Sequence, residues 1–133
     1  MPMEPERLQD FAERYTAAWC SQDPASVAAF YAPDGSLRVN DNDPAVGREA
    51  ITSVAQGFMS AFPDMEVLMD DLAVDGAEAV YRWTLVGTNT GPGGTGRAVR
   101  ICGFEEWRIG ADDRIAQSLG HFDEADYQRQ LDG

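Results

Sequence analysis

Residues 65–88 read MEVLMDDLAVDGAEAVYRWTLVGT, and this stretch decides the fold class. Two runs rich in valine, leucine and aromatic residues, 65–74 and 77–88, flank Asp75-Gly76, a pair that favours the tight turn of a β-hairpin. Downstream, the glycine-rich TGPGGTG at 90–96 turns the chain into a further strand over about 99–109. It has neither the lysine nor the following helix of a phosphate loop, so it reads as hairpin chemistry only. Residues 110–113 turn the chain again into a last strand over 114–122, and a short helix runs from Glu124 towards Leu131.

Upstream of residue 65 the period changes from two to that of a helix. Leu8, Phe11, Tyr15, Ala18 and Trp19 recur at helical spacing over about 5–20. Asp23-Pro24 supplies a cap and a first-turn proline for a short second helix carrying Val27, Phe30 and Tyr31 inward. Ala32-Pro33-Asp34-Gly35 is a turn cluster, 36–39 a short strand and 40–47 a polar loop. A third helix from about Arg48 bears Ile51, Val54, Ala55, Phe58, Met59 and Phe62 on one stripe and stops at Pro63-Asp64. Helices followed by a run of strands predict an α+β fold with an antiparallel sheet.

The chain has 133 residues, the usual size of one domain, with 44% hydrophobic and 25% charged residues. Its formal charge is −13, and all basic residues are arginine. Such a surface repels nucleic acid and anionic membranes, which are bound by neutralising phosphates. With no lysine, Schiff-base chemistry on a lysine is excluded. Cys20 and Cys102 lie far apart without metal-ligand spacing, and with one histidine no metal site is expected. The N-terminus lacks the apolar run of a signal peptide, and no stretch reaches membrane-spanning length, so a cytoplasmic location is expected.

Candidate functional residues are polar groups on apolar registers. Along 99–109, Val99, Ile101, Gly103, Glu105, Trp107 and Ile109 share one face, with Glu105 the odd member. In apolar company its carboxyl has a raised pKa and stays protonated as a donor; at a sheet rim it simply reaches water. On the last strand, Ile115, Gln117, Leu119, His121 and Asp123 share a face by strict alternation. His121 and Asp123 then form an acid/base pair at one end of a pocket, although Asp123 is equally placed to cap the following helix and His121 to sit at the surface. Tyr15 needs a partner for its hydroxyl if buried, and Asn40 suits a turn. Trp19, Phe58, Phe62, Tyr81, Trp83 and Trp107 supply aromatic surface for a core or for a cavity lining.

The phrases FAERYTAAW, FYAPDG, GREAI, AFPD, YRWTLVGTNTG and RIAQSLGHFDEADYQRQL, in this order, resemble the SnoaL-like polyketide cyclases of the nuclear transport factor 2-like superfamily. The resemblance spans nearly the whole chain and implies one SnoaL-like domain over 1–133. It further implies a cone-shaped, strongly curved antiparallel sheet wrapped around the N-terminal helices, one internal pocket, and dimers paired through the convex face. In the cyclases an aspartate at the end of the last strand is the acid/base, and Asp123 matches it. A fainter similarity to ketosteroid isomerase places Tyr15 at its oxyanion-hole tyrosine, Glu105 at its protonated acid, and its catalytic base near Val39.

The expected activity is therefore cofactor-independent acid/base chemistry on a largely apolar carbonyl compound, as in an aldol cyclase or a ketosteroid-type isomerase. Asp123, assisted by His121, abstracts a proton; Tyr15 and Glu105 donate to the enolate oxygen; Asn40 and Gln117 orient polar groups of the substrate. The alternatives are epoxide hydrolysis on the same fold and a non-catalytic ligand-binding or assembly domain.

Overall fold

The hydrophobic periods of the chain become four helices and six strands in the structure, a computed structural model that describes residues 4–132. In order these are α1 (Pro5–Cys20), α2 (Pro24–Ala28), β1 (Tyr31–Val39), β2 (Ala45–Val46), α3 (Arg48–Ala61), β3 (Glu66–Asp75), β4 (Glu78–Thr88), β5 (Ala98–Ile109), β6 (Ile115–Phe122) and α4 (Glu124–Asp132). Among the described residues no helix is long and apolar enough to cross a membrane.

The strands form one curved, open sheet in the order β2-β1-β6-β5-β4-β3. Asp75 pairs with Glu78, so the hairpin loop is Gly76-Ala77, with Gly76 at φ 59°. Glycine adopts that left-handed conformation without strain. The expectation of a wholly antiparallel sheet is corrected at one seam, where β1 runs parallel to β6. Hairpin neighbours are necessarily antiparallel, but β1 belongs to the N-terminal half and reaches the last strand through a long crossover, which permits a parallel pair.

The predicted helix stripes face the concave side. Leu8, Phe11, Tyr15 and Trp19 of α1, and Ile51, Ala55 and Met59 of α3, are buried against Val67, Tyr81, Leu85, Ile101 and Trp107 of the sheet. The turn at 90–96 is fastened to the end of α3. Asn89 donates from Nδ2 to the Ala61 carbonyl at 3.1 Å, and its Oδ1 accepts from the Thr95 amide at 2.8 Å. A Cβ on Gly91 would lie 1.9 Å from the Ser60 carbonyl oxygen, so only glycine fits there.

Two bulges reset which residues face inward. In β3 the pairs Met69↔Trp83 and Asp71↔Arg82 leave Asp70 as an extra residue, whose Oδ2 accepts from Thr84 Oγ1 at 2.6 Å. In β6 the pairs Ile109↔Ile115 and Arg108↔Gln117 leave Ala116 as the extra residue. One inserted residue moves every following side chain to the opposite face. Ile115 is therefore inward, and so are Ser118, Gly120 and Phe122, while Gln117, Leu119 and His121 point to the outer side.

Candidate active site

The alternation of β5 brings Glu105 to the concave face, where it is only 7% exposed. Of the two readings open from sequence, a buried carboxyl or a rim glutamate, the structure has the buried one. Three donors converge on Oε1: Ser118 Oγ at 2.7 Å, Trp107 Nε1 at 2.9 Å and the Tyr15 hydroxyl at 3.0 Å. Each arrives by a different route. Trp107 is two residues along the same strand face, Ser118 sits opposite Trp107 on β6, and Tyr15 comes from the buried stripe of α1. The Tyr15 and Tyr31 hydroxyls are 2.9 Å apart, which extends the network to β1. Oε2 has no hydrogen-bond partner among the described residues.

Burial pushes the Glu105 carboxyl above the usual carboxylate range. The three donors Trp107, Ser118 and Tyr15, with the Tyr31 hydroxyl behind Tyr15, act in the opposite direction and are outweighed. Burial, followed by the nearby Glu105 charge, also raises Tyr15 and Tyr31, so both remain protonated donors. Because the folded Glu105 binds its proton more tightly than the unfolded chain, its contribution to stability is fully present below the unfolded value of about 4.3 and is lost as pH rises through the raised folded value. Urea denaturation should show stability falling with pH across that window more steeply in the wild type than in Glu105→Gln. Parallel profiles would contradict the buried carboxyl.

Glu105 belongs to the wall of an otherwise apolar pocket between α1, α3 and the sheet. Trp19, Phe58, Tyr81, Trp83 and Phe122 give it aromatic surface, and Leu37, Val39, Val54, Val67, Leu85 and Ile101 complete the sides with Gly120. The cavity has a volume of about 60 Å³, several times what one water needs (about 10–15 Å³). Leu37, Val39, Val54, Phe58 and Phe122 also line an outer recess of about 360 Å³, where Asn42, Asp43, Glu124 and Tyr127 join them. The two spaces thus share five wall residues, and Asp43 and Glu124 make the outer one acidic.

The structure divides the sequence candidates sharply. Glu105, Trp19, Phe58, Tyr81 and Trp83 line the pocket. Tyr15 and Trp107 are fully buried behind Glu105 and reach the pocket only through it. Phe62 is buried away from the cavity, against Tyr127. Asn40, at φ 52°, ties elements together: its Oδ1 accepts from the Phe122 amide and its Nδ2 donates to Glu124 Oε2.

The residues placed on one inner face of the last strand do not share it, because the Ala116 bulge reverses their parity. Gln117 lies in an outer-face recess with Glu106 and Arg108. His121 stacks on Phe104 and brings Nε2 to 3.1 Å from Glu106 Oε1 on the same outer face. Asp123 is exposed, and its Oδ1 accepts from the Asp126 amide at 3.1 Å, the geometry of an N-cap on α4.

Sequence reasoning missed Ser118, Tyr31, Gly120 and Phe122. The signal for three of them was the alternation Ser118, Gly120, Phe122, small and aromatic residues that face a cavity once the register is known. Gly120 leaves room beside the carboxyl, since a Cβ there would lie 3.8 Å from Glu105 Cγ.

Fold and site together define an NTF2-like α+β protein with a carboxyl-bearing apolar pocket. The family model described as SnoaL-like polyketide cyclase matches residues 9–131, and the chain belongs to that family. No curated protein shows significant similarity to it. Among solved structures, TsrD from Streptomyces laurentii is similar at 24% identity and a TM-score of 0.83, covering 97% of each chain. A hypothetical protein from Catenulispora acidiphila with a ketosteroid isomerase-like fold, in complex with trimethylamine, matches at 15% identity and a TM-score of 0.81, over 98% of this chain and 95% of that one. An NTF2-like protein of unknown function from Burkholderia pseudomallei matches at 19% identity and 0.80, over 94% and 97%. At these identities the likeness shows the fold.

Proposed function

We propose that this protein is a cofactor-independent enzyme that moves a proton at the carbon next to a carbonyl in a small, largely apolar molecule, as an aldol cyclase or ketosteroid-type isomerase does. The supporting observation is the Glu105 carboxyl on the pocket wall, with Oε1 held by three donors and Oε2 left for a ligand. In this reading ionised Oε2 takes the α-proton and later returns it, and the raised pKa of the buried carboxyl strengthens it as a base near neutral pH. Trp19 and Trp83 of the pocket wall carry buried N–H groups without an acceptor among the described residues, and in this reading one of them turns to the enolate oxygen as its donor. Asp123 acts as a helix cap and His121 as an outer-face residue. A single carboxyl on the inner wall suits this one-base chemistry better than epoxide hydrolysis by paired carboxylates.

The test is deuterium uptake from D₂O at the α-carbon of a panel of apolar ketones and β-diketones, followed by NMR. Exchange that needs Glu105 supports the reading; ketones bound without exchange overturn it. A second reading, ligand binding without turnover, is favoured by five aromatic side chains on the same wall as Glu105. Aromatic faces beside a carboxylate attract organic ammonium ions, and the Catenulispora protein of this fold is described with trimethylamine. Two free, exposed cysteines are compatible with a reducing cytoplasm.

We also propose that two copies pair through the outer sheet face, where Val86 and Phe104 lie half-buried and Leu68 is 46% exposed. Sedimentation at micromolar concentration should give about twice the chain mass, and a clean monomer contradicts the pairing.

A further inference from the structure

We propose that Glu105 carries its exchangeable proton on Oε2 alone, and that Ser118 is the positioning residue that enforces this asymmetry. The two oxygens of a free carboxyl are equivalent, but those of Glu105 are not. Oε1 accepts from Ser118, Trp107 and Tyr15, whereas Oε2 has no partner among the described residues. The indole N–H of Trp107 can only donate, so Oε1 must act as an acceptor whatever the hydroxyls do. A proton on Oε1 would have to displace one of these donors and would leave the most crowded oxygen as the hydroxyl. A proton on Oε2 keeps all three bonds and faces the pocket.

The neutral carboxyl therefore offers an O–H to the pocket, and the ionised one offers a lone pair at the same place. One atom serves as both acid and base. Ser118 makes the shortest of the three bonds, at 2.7 Å, and is wholly buried. It reaches Oε1 only because the Ala116 bulge turns it inward; with strict alternation from Ile115 an outward serine would leave Oε1 two donors. The ionisable groups coupled to the carboxyl are Tyr15 of α1, Tyr31 of β1 and Tyr81 of β4, each held protonated by burial. No nearby charge among them competes with the hydrogen bonds in choosing the oxygen.

The inference rests on the proposed function only in taking Glu105 as the reacting group. Its readout involves no turnover, so the two can fail separately. The experiment is infrared difference spectroscopy of the carboxylic C=O stretch during acid titration, with the Glu105 band assigned by its loss in Glu105→Gln. With the proton on Oε2, the C=O oxygen is Oε1, and three donors lower its frequency. Ser118→Ala should shift the band upward and raise the pH midpoint of ionisation, because the lost donor also stabilised the carboxylate. Trp107→Phe should shift the band the same way through another element, and Ser118→Thr should restore it. A high-frequency band unmoved by either Ser118→Ala or Trp107→Phe would place the proton on Oε1 and overturn the proposal. The absence of any Glu105 carboxylic band down to the acid edge of the folded range overturns it as well.

Discussion

Glu105→Gln is expected to lower turnover by about 10²–10⁴-fold, the usual contribution of a general acid–base group, while leaving the fold intact. Glutamine has the same shape, and its amide oxygen can accept from Ser118, Trp107 and Tyr15 as Oε1 does. What it lacks is a basic oxygen at the second position that can take up a proton and return it. Because the buried carboxyl is harder to ionise than in water, the neutral amide should be as stable as the wild type at neutral pH or slightly more so. The informative contrast is with Asp123. Asparagine caps a helix about as well as aspartate, so Asp123→Asn should change neither stability nor turnover, and Asp123→Ala should cost about 1 kcal/mol of stability with turnover retained. Rate measurements and thermal denaturation of the three variants separate the roles. Full activity in Glu105→Gln together with loss in Asp123→Asn would move the chemistry from the pocket to the α4 cap.

The second large effect is on the core. Trp107→Ala should destabilise the protein by about 3–5 kcal/mol, the range for emptying a buried aromatic site. Trp107 is 2% exposed, stacks on Tyr81 with ring centroids 4.8 Å apart, and meets the edges or faces of Phe11 and Tyr15 at 5.8 and 5.2 Å. Its removal leaves a void between α1 and the sheet and takes one donor from Glu105. Against a total of about 5–15 kcal/mol for an ordinary domain, much of the folding free energy would be lost. Trp107→Phe keeps most of the volume and forfeits mainly the N–H bond to a carboxyl, so its cost should be nearer 1–3 kcal/mol. Urea denaturation of both variants measures the difference; a loss below about 1 kcal/mol in the alanine variant would mean that the site collapses around the void, contrary to the packing described.

The sequence by itself determined the helices, the strands β3 to β6 and the inner set of β5, because each is a periodicity carried by neighbouring residues, whereas β1 was legible only at its end, over 36–39, and the two-residue β2 not at all. The stripe of Leu8, Phe11, Tyr15 and Trp19 had only one way to face a core, and the alternation from Val99 to Ile109 singled out Glu105. The family was legible for a related reason: short phrases in a fixed order mark the turns and helix ends that shape this fold.

Tertiary structure alone decided the rest. A bulge costs the sequence one residue, Ala116, with no side-chain signature, yet it moved His121 and Gln117 to the outer face and Ser118 to the inner one. The parallel pairing of β1 with β6 joins opposite ends of the chain, which no local pattern records. Asp123 lay within reach of two roles by position, and its bond to the Asp126 amide appears only in the structure. The donors on Glu105 come from residues 90 positions before it and 13 after it, as well as from its own strand. Periodicity orients a side chain relative to its own element, whereas a site is made where separate elements meet, and that meeting is set by packing.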